Sequence, residues 1–177
     1  MPALPSHANI LQECLEVCAL AQARYVSPDN FNTLPYLKHV LESQADVRLV
    51  ESLLALAVKA RFLDDRESIL RAGDRRLRAI GRYYENGTAK DSAVCIREAL
   101  NKLVHHQSLQ ISTDTVSCWV VGAEGSAGER RLLQEGAHHT QRVIVTVEGE
   151  RNGTPWRFEI SLFTLLNELA RVLEPLG

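Results

Sequence analysis

The pattern of hydrophobic and polar positions divides the chain into two parts. Up to about residue 106, apolar residues recur at the spacing of amphipathic helices, whereas beyond it they alternate with polar residues, as strands do. Asp64 and Glu67 have the spacing of a capping box, and Asn86-Gly87 is typical of the left-handed residues that end a helix. The helices predicted in the first part have the approximate bounds 7–24, 33–41, 46–60, 64–84 and 91–106.

The second part predicts strands and one closing helix. Alternation places strands near 116–121, 143–148 and 156–160, with Leu109 to Ile111 as an additional strand, and Asn152-Gly153 predicts a hairpin between the last two. Leucines at helical spacing predict a final helix from about Leu162 to Leu173. The sequence therefore predicts a single α+β domain over residues 1–177. A bundle of four to five helices (about 1–106) would be followed by a small antiparallel sheet and a C-terminal helix (about 107–177).

The glycine-rich segment 122–139 interrupts the strand pattern. It contains Gly122, Gly125 and Gly128, followed by mixed charges and His138-His139, and its glycines match no phosphate-binding motif. We therefore expect an exposed, mobile loop in this segment.

Composition and charge narrow the class of protein. Hydrophobic residues make up 45% of the chain and charged residues 24%, which is the balance of a globular protein, and the net charge is -2. A uniformly basic protein that coats nucleic acid is excluded, although a local basic patch is not. The sequence shows neither an apolar run of membrane-spanning length nor a signal peptide, so we expect a cytoplasmic protein that does not bind membranes.

The cysteines predict neither a disulfide framework nor a metal site. The four cysteines are scattered, and Cys14 and Cys18 share one helical face with apolar residues, so we interpret both as small buried hydrophobes. No further residues at ligand spacing complete a metal site, and we expect no metal and no other cofactor.

The residues with the clearest chemical potential are Arg97, Asn101 and His105, which stand four apart and share one stripe of the last predicted helix. An arginine binds a phosphate through two hydrogen bonds, a histidine transfers protons near neutral pH, and an asparagine orients either group. This set suits phosphodiester cleavage without a metal. In the alternative, structural interpretation, Arg97 pairs with a carboxylate while the other two satisfy backbone groups.

The segment from Ile96 to His106 resembles the signature of the HEPN superfamily, helical domains that include metal-independent ribonucleases. That signature is an arginine followed by a histidine near the end of a late helix, and Arg97 and His105 stand further apart here than its usual spacing. The resemblance covers about residues 47–106. It implies a helical fold, His105 as general acid and base, Arg97 as phosphate clamp, and a homodimer with two such sets across one cleft.

A second candidate surface is basic. Four arginines recur on one side of the predicted helix from Ser68 to Tyr84, where they would form a stripe able to follow a nucleic-acid backbone. A solvated face of an amphipathic helix has the same pattern. The candidate nucleic-acid-binding residues, including two on the following helix, are Arg71, Arg75, Arg78, Arg82, Lys102 and His106.

Two classes of function fit these residues. One is an RNA-directed, metal-independent ribonuclease of the toxin type, and the other is a non-catalytic interaction or regulatory module that binds a protein or nucleotide. A short sheet leaves unpaired edge groups, which also favours a homodimer.

Overall fold

The computed structural model of the protein describes residues 4–26, 38–70, 80–90, 94–118 and 138–174. Four α-helices lie in these ranges, and a π-helical turn, Gln22–Val26, continues the first of them. The helices are α1 (His7–Ala21), α2 (Lys38–Glu67), α3 (Ile96–Val104) and α4 (Leu162–Leu173). The strands are β1 (Gly81–Glu85), β2 (Thr88–Lys90), β3 (Ser108–Cys118), β4 (His138–Arg151) and β5 (Thr154–Ser161).

The five strands form one antiparallel sheet in the order β2-β1-β5-β4-β3. β1 lies beside β5, so two strands from the first half of the chain extend a sheet built by the second half. Gly81 is opposite Ile160 in this pairing, and Glu85 is opposite Trp156. The sheet therefore joins both halves of the sequence into one unit.

Two Asn-Gly pairs make the hairpin turns. Asn86 and Gly87 have φ angles of 50° and 75° between β1 and β2, and Asn152 and Gly153 have φ angles of 53° and 77° between β4 and β5. Positive φ at both central residues is the geometry of a tight hairpin whose twist matches that of its strands. The hairpin predicted at Asn152-Gly153 is confirmed.

One face of the sheet carries the core. Inward-facing residues of β4 and β5 are fully buried, among them Val143, Val145, Val147, Phe158 and Ile160. α3 and α4 pack on this face, α1 packs on α4, and α2 packs on both α1 and α3. The opposite face of the sheet, which we call the outer face, carries no helix of the described part of the chain.

The predicted fold class is wrong in its helical part. The helix predicted over 46–60 extends in both directions, because α2 is one helix of 30 residues, and Asp64 lies in its last turns instead of opening a new helix. Residues 71–79 of the helix predicted over 64–84 lie outside the described residues. Residues 81–85 form β1, so Asn86-Gly87 turns a hairpin and does not end a helix. The sheet has five strands, not three or four, because the chain segment predicted as a helix end supplies its second hairpin.

The coarser order of elements agrees with the sequence. The N-terminal part is rich in helix, the sheet follows, and the final helix α4 has the predicted bounds. The additional strand predicted at Leu109 to Ile111 is part of β3. Residues 33–37 of a predicted helix and most of the predicted loop, 122–137, lie outside the described residues. No helix in the described ranges combines the length and the apolar character needed to cross a membrane.

Candidate functional site

Arg97 lies in the first turn of α3, and its guanidinium contacts two carboxylates of α2. Its Nη1 contacts Oδ2 of Asp64, and its Nη2 is 2.9 Å from Oδ1 of Asp65. Arg61, one turn earlier on α2, contacts the same two carboxylates at 3.1 and 3.2 Å. We call these four residues, two positive and two negative, the Arg97 cluster.

Asp64 anchors the Arg97 cluster because it is fully buried. Its Oδ1 also accepts a hydrogen bond of 2.8 Å from the backbone N–H of Leu70. A buried carboxylate needs such partners, since an unpaired charge in the protein interior costs several kcal/mol. Burial and the nearby Arg61 charge lower the pKa of Arg97, which stays protonated at neutral pH. The cluster thus ties the end of α2 to the start of α3.

His105 lies at the opposite end of α3 from Arg97. It is the residue that follows the last helical turn, its backbone N–H donates to the carbonyl of Asn101 at 3.0 Å, and its side chain is exposed. Eight residues of helix separate the backbones of Arg97 and His105 by about 12 Å along the axis. Asn101 lies between them and is half-buried. Within one chain, the structure therefore places the guanidinium against α2 and the imidazole in solvent.

Lys102 holds α3 to the sheet. Its Nζ lies 4.0 Å from the ring centre of Trp156 and 4.7 Å from that of Tyr83, the geometry of a cation held by aromatic faces. Burial lowers the pKa of Lys102 from its ordinary value. His106 is half-buried, and its Nδ1 is 2.7 Å from the carbonyl oxygen of Leu103. Both side chains thus have contacts within the fold at the positions predicted to bind nucleic acid.

Of the four arginines in the predicted basic stripe, only Arg82 lies in the described part of the chain. This residue is on β1, exposed on the outer face, and opposite Glu159 of β5 in the strand register. The other three arginines, Arg71, Arg75 and Arg78, lie outside the described residues. Because residues 81–85 form a strand, Arg82 does not continue a helical stripe, and its neighbours are the outward residues of the sheet.

The outer face is the surface that sequence reasoning missed. Arg157 lies 4.5 Å from the ring centre of Tyr84 and forms a 2.9 Å ion pair with Glu159. At the far side of the sheet, Arg142 pairs with Asp114 at 3.1 Å. Glu159, Arg142 and Asp114 line a concavity of about 520 Å³ on the sheet. Arginines and carboxylates alternate across this face, so it presents both charges instead of a positive field.

In the described part of the chain, no three His, Cys, Asp or Glu side chains cluster in a way that would hold a metal ion. The carboxylates of the Arg97 cluster are already neutralised by the two guanidiniums. Comparison with known proteins gives no family model, no curated protein and no solved structure that matches this chain.

Proposed function

We propose that the protein is a non-catalytic interaction module, the second of the two classes indicated by the sequence. The observation that carries this proposal is the pairing of Arg97 with the fully buried Asp64. A phosphate clamp must offer its guanidinium to a ligand. Arg97 would have to leave a buried carboxylate to do so, and breaking a buried ion pair from one side costs about 3–5 kcal/mol.

The outer face supports a protein as the partner. Binding to a nucleic-acid backbone requires an excess of positive charge, because phosphates are neutralised by Lys and Arg. The outer face instead alternates arginines with carboxylates, and its tyrosine, Tyr84, is packed under Arg157. Interfaces between proteins favour exposed Arg and Tyr within a polar surround. A partner protein whose surface carries both positive and negative side chains would complement the outer face.

The first experiment separates this module from a ribonuclease. Wild-type protein and His105→Ala are incubated with single-stranded RNA, with and without a chelator. We expect no cleavage that depends on His105, because the exposed imidazole has no clamp beside it. Cleavage by the wild type that is lost in His105→Ala and unaffected by chelator would refute the proposal and favour the ribonuclease indicated by the HEPN resemblance.

A second experiment tests the outer face. Tagged wild-type protein and Arg157→Glu are purified from their native cells, with Arg151→Glu as control, because Arg151 is also exposed but lies at a β4 position in register with the inward-facing residues. We expect a partner protein that copurifies with the wild type and the control but not with Arg157→Glu. Equal recovery with all three proteins would exclude the outer face as the binding surface.

A further inference from the structure

α2 has two apolar sides. Its inner side supplies the core with a row of fully buried leucines that includes Leu49, Leu53, Leu56 and Leu63. Five other apolar residues lie on the opposite side of the helix, at about 100° per residue, and four of them are about half exposed. We call this second set the α2 stripe; it consists of Val40, Val47, Leu54, Val58 and Phe62.

The α2 stripe follows one side of a long helix over most of its length. From Val40 to Phe62 it extends about 33 Å, and its exposed members are 48–54% accessible. Single exposed apolar residues are ordinary on protein surfaces, but four that line up on one side of a helix are typical of an interaction site. A helix that is apolar on both sides is normally packed on both sides.

The surface around the α2 stripe has both ridges and grooves. One groove, of about 490 Å³, runs along α1 and is lined by Ala19, Leu20 and Ala23. The other, of about 360 Å³, lies towards β3 and is lined by Tyr25 and Ile111 among others. Helices pack by placing the ridge of one into the groove of the other. A surface with a ridge between two grooves can therefore receive a copy of itself.

The charges on the α2 stripe are also self-complementary. Arg48 and Glu51 are exposed near its middle, on consecutive turns, and neither takes part in an ion pair among the described residues. When two copies of α2 cross in antiparallel fashion about a two-fold axis near residue 50, Arg48 of each copy faces Glu51 of the other. The symmetry of such an interface makes every contact occur twice.

From these observations we propose that the α2 stripe is the interface of a homodimer, in which α2 packs antiparallel against α2 of a second copy. The apolar residues supply the buried surface, and the two reciprocal Arg48–Glu51 pairs fix the register. This inference goes beyond the proposed function and does not depend on it. It also moves the expected dimer contact from the edge of the sheet to a helix.

The oligomeric state, measured by sedimentation equilibrium over the micromolar range, tests the proposal. We expect a wild-type dimer and a dissociation constant raised at least about 100-fold in Val58→Glu and in Phe62→Glu, because each buries an unpaired charge in the interface. Val104→Glu is the control, since Val104 is also exposed and apolar but lies on α3. Circular dichroism should show that all three variants keep the fold.

Charge reversal tests whether the partner is a second copy of this chain. Arg48→Glu alone should weaken the dimer, because it places two carboxylates together, and so should Glu51→Arg. The double variant restores both pairs and should dimerise like the wild type. Rescue is expected only if these two residues meet across a two-fold axis.

Three results would overturn the inference. A wild-type monomer at the highest concentrations would exclude the dimer, and a loss of monomer stability in Val58→Glu would then show that the chain covers its own stripe. A dimer that persists unchanged in Val58→Glu and Phe62→Glu would place the contact elsewhere, with the edge of β3 as the next surface to test. Failure of the double charge reversal to restore association would exclude the antiparallel register.

Discussion

The structural role of Arg97 predicts a large loss of stability when its side chain is removed. Arg97→Ala leaves the fully buried Asp64 with Arg61 and the N–H of Leu70 as its remaining partners. Removing one partner of a buried ion pair lowers the free energy of unfolding by about 3–5 kcal/mol. Because Asp64 keeps its other partners, we expect a loss of about 3 kcal/mol, at the lower end of this range. In a domain of this size that loss corresponds to a melting temperature lower by about 6–12 °C.

The matched control is an exposed Arg–Asp pair that also links two elements. Arg142 and Asp114 are 48% and 57% exposed, and such pairs contribute about 0–1 kcal/mol, so Arg142→Ala should leave the protein almost unchanged. Urea unfolding of both variants, followed by tryptophan fluorescence, measures the difference. Adding Asp64→Asn to Arg97→Ala should recover part of the loss, because it removes a buried charge that has lost one of its two guanidinium partners. Equal free energies of unfolding for Arg97→Ala and Arg142→Ala would refute the reasoning.

Three further predictions rest on single contacts. Burial raises the pKa of Cys14 from 9.0 to about 12, so its thiol should resist alkylation at pH 8 until the protein unfolds. Because only the unfolded chain ionises this thiol between these two values, its contribution to stability should fall as the pH rises from about 9 to 12, which denaturant titrations at several pH values would reveal. Lys102→Met should lower the free energy of unfolding by about 0.5–1 kcal/mol and shift the emission of Trp156, whereas Lys102→Arg should keep the cation over the ring. A Cβ at position 81 would lie 2.1 Å from the carbonyl oxygen of Glu159, so Gly81→Ala should cost about 1–3 kcal/mol in thermal unfolding by forcing β1 away from β5.

The predictions from the sequence agree best with the structure in segments that fit only one periodicity, either that of a helix or that of a strand. The strands β4 and β5 alternate cleanly, and α4 has leucines on one side, so their positions agree with the structure. β1 was misassigned because five residues are too few to separate the two periods, and Tyr83 and Tyr84 fit an apolar helix edge as well as a strand. Asn86-Gly87 favours a left-handed turn whether it ends a helix or joins two strands. Only the pairing of β1 with β5 decides between these two structures.

The candidate site was less predictable because it depends on contacts between distant residues. The stripe of Arg97, Asn101 and His105 follows from helical geometry, but the partner of Arg97 is on α2. The sequence predicts a carboxylate partner without indicating Asp64, because the spacing of Asp64 and Glu67 predicts a capping box instead. The α2 stripe escaped notice for a related reason. Leu54 directly follows the buried Leu53, and only the packing of α2 separates its two apolar sides.

The place of β1 in the sheet has a consequence for how the chain folds. β1 has β5 as its neighbour, so the hairpin made early in synthesis must wait for residues 154–161 before it can pair. Contacts between such distant segments slow folding. The chain loses conformational entropy when the long loop between the segments closes, and the stabilising contacts form only after that. The helical and sheet portions accordingly form one cooperative unit. A fragment ending before β4 would leave that hairpin without its place in the sheet, and its unpaired strand edge would be open to aggregation until the last strand emerged.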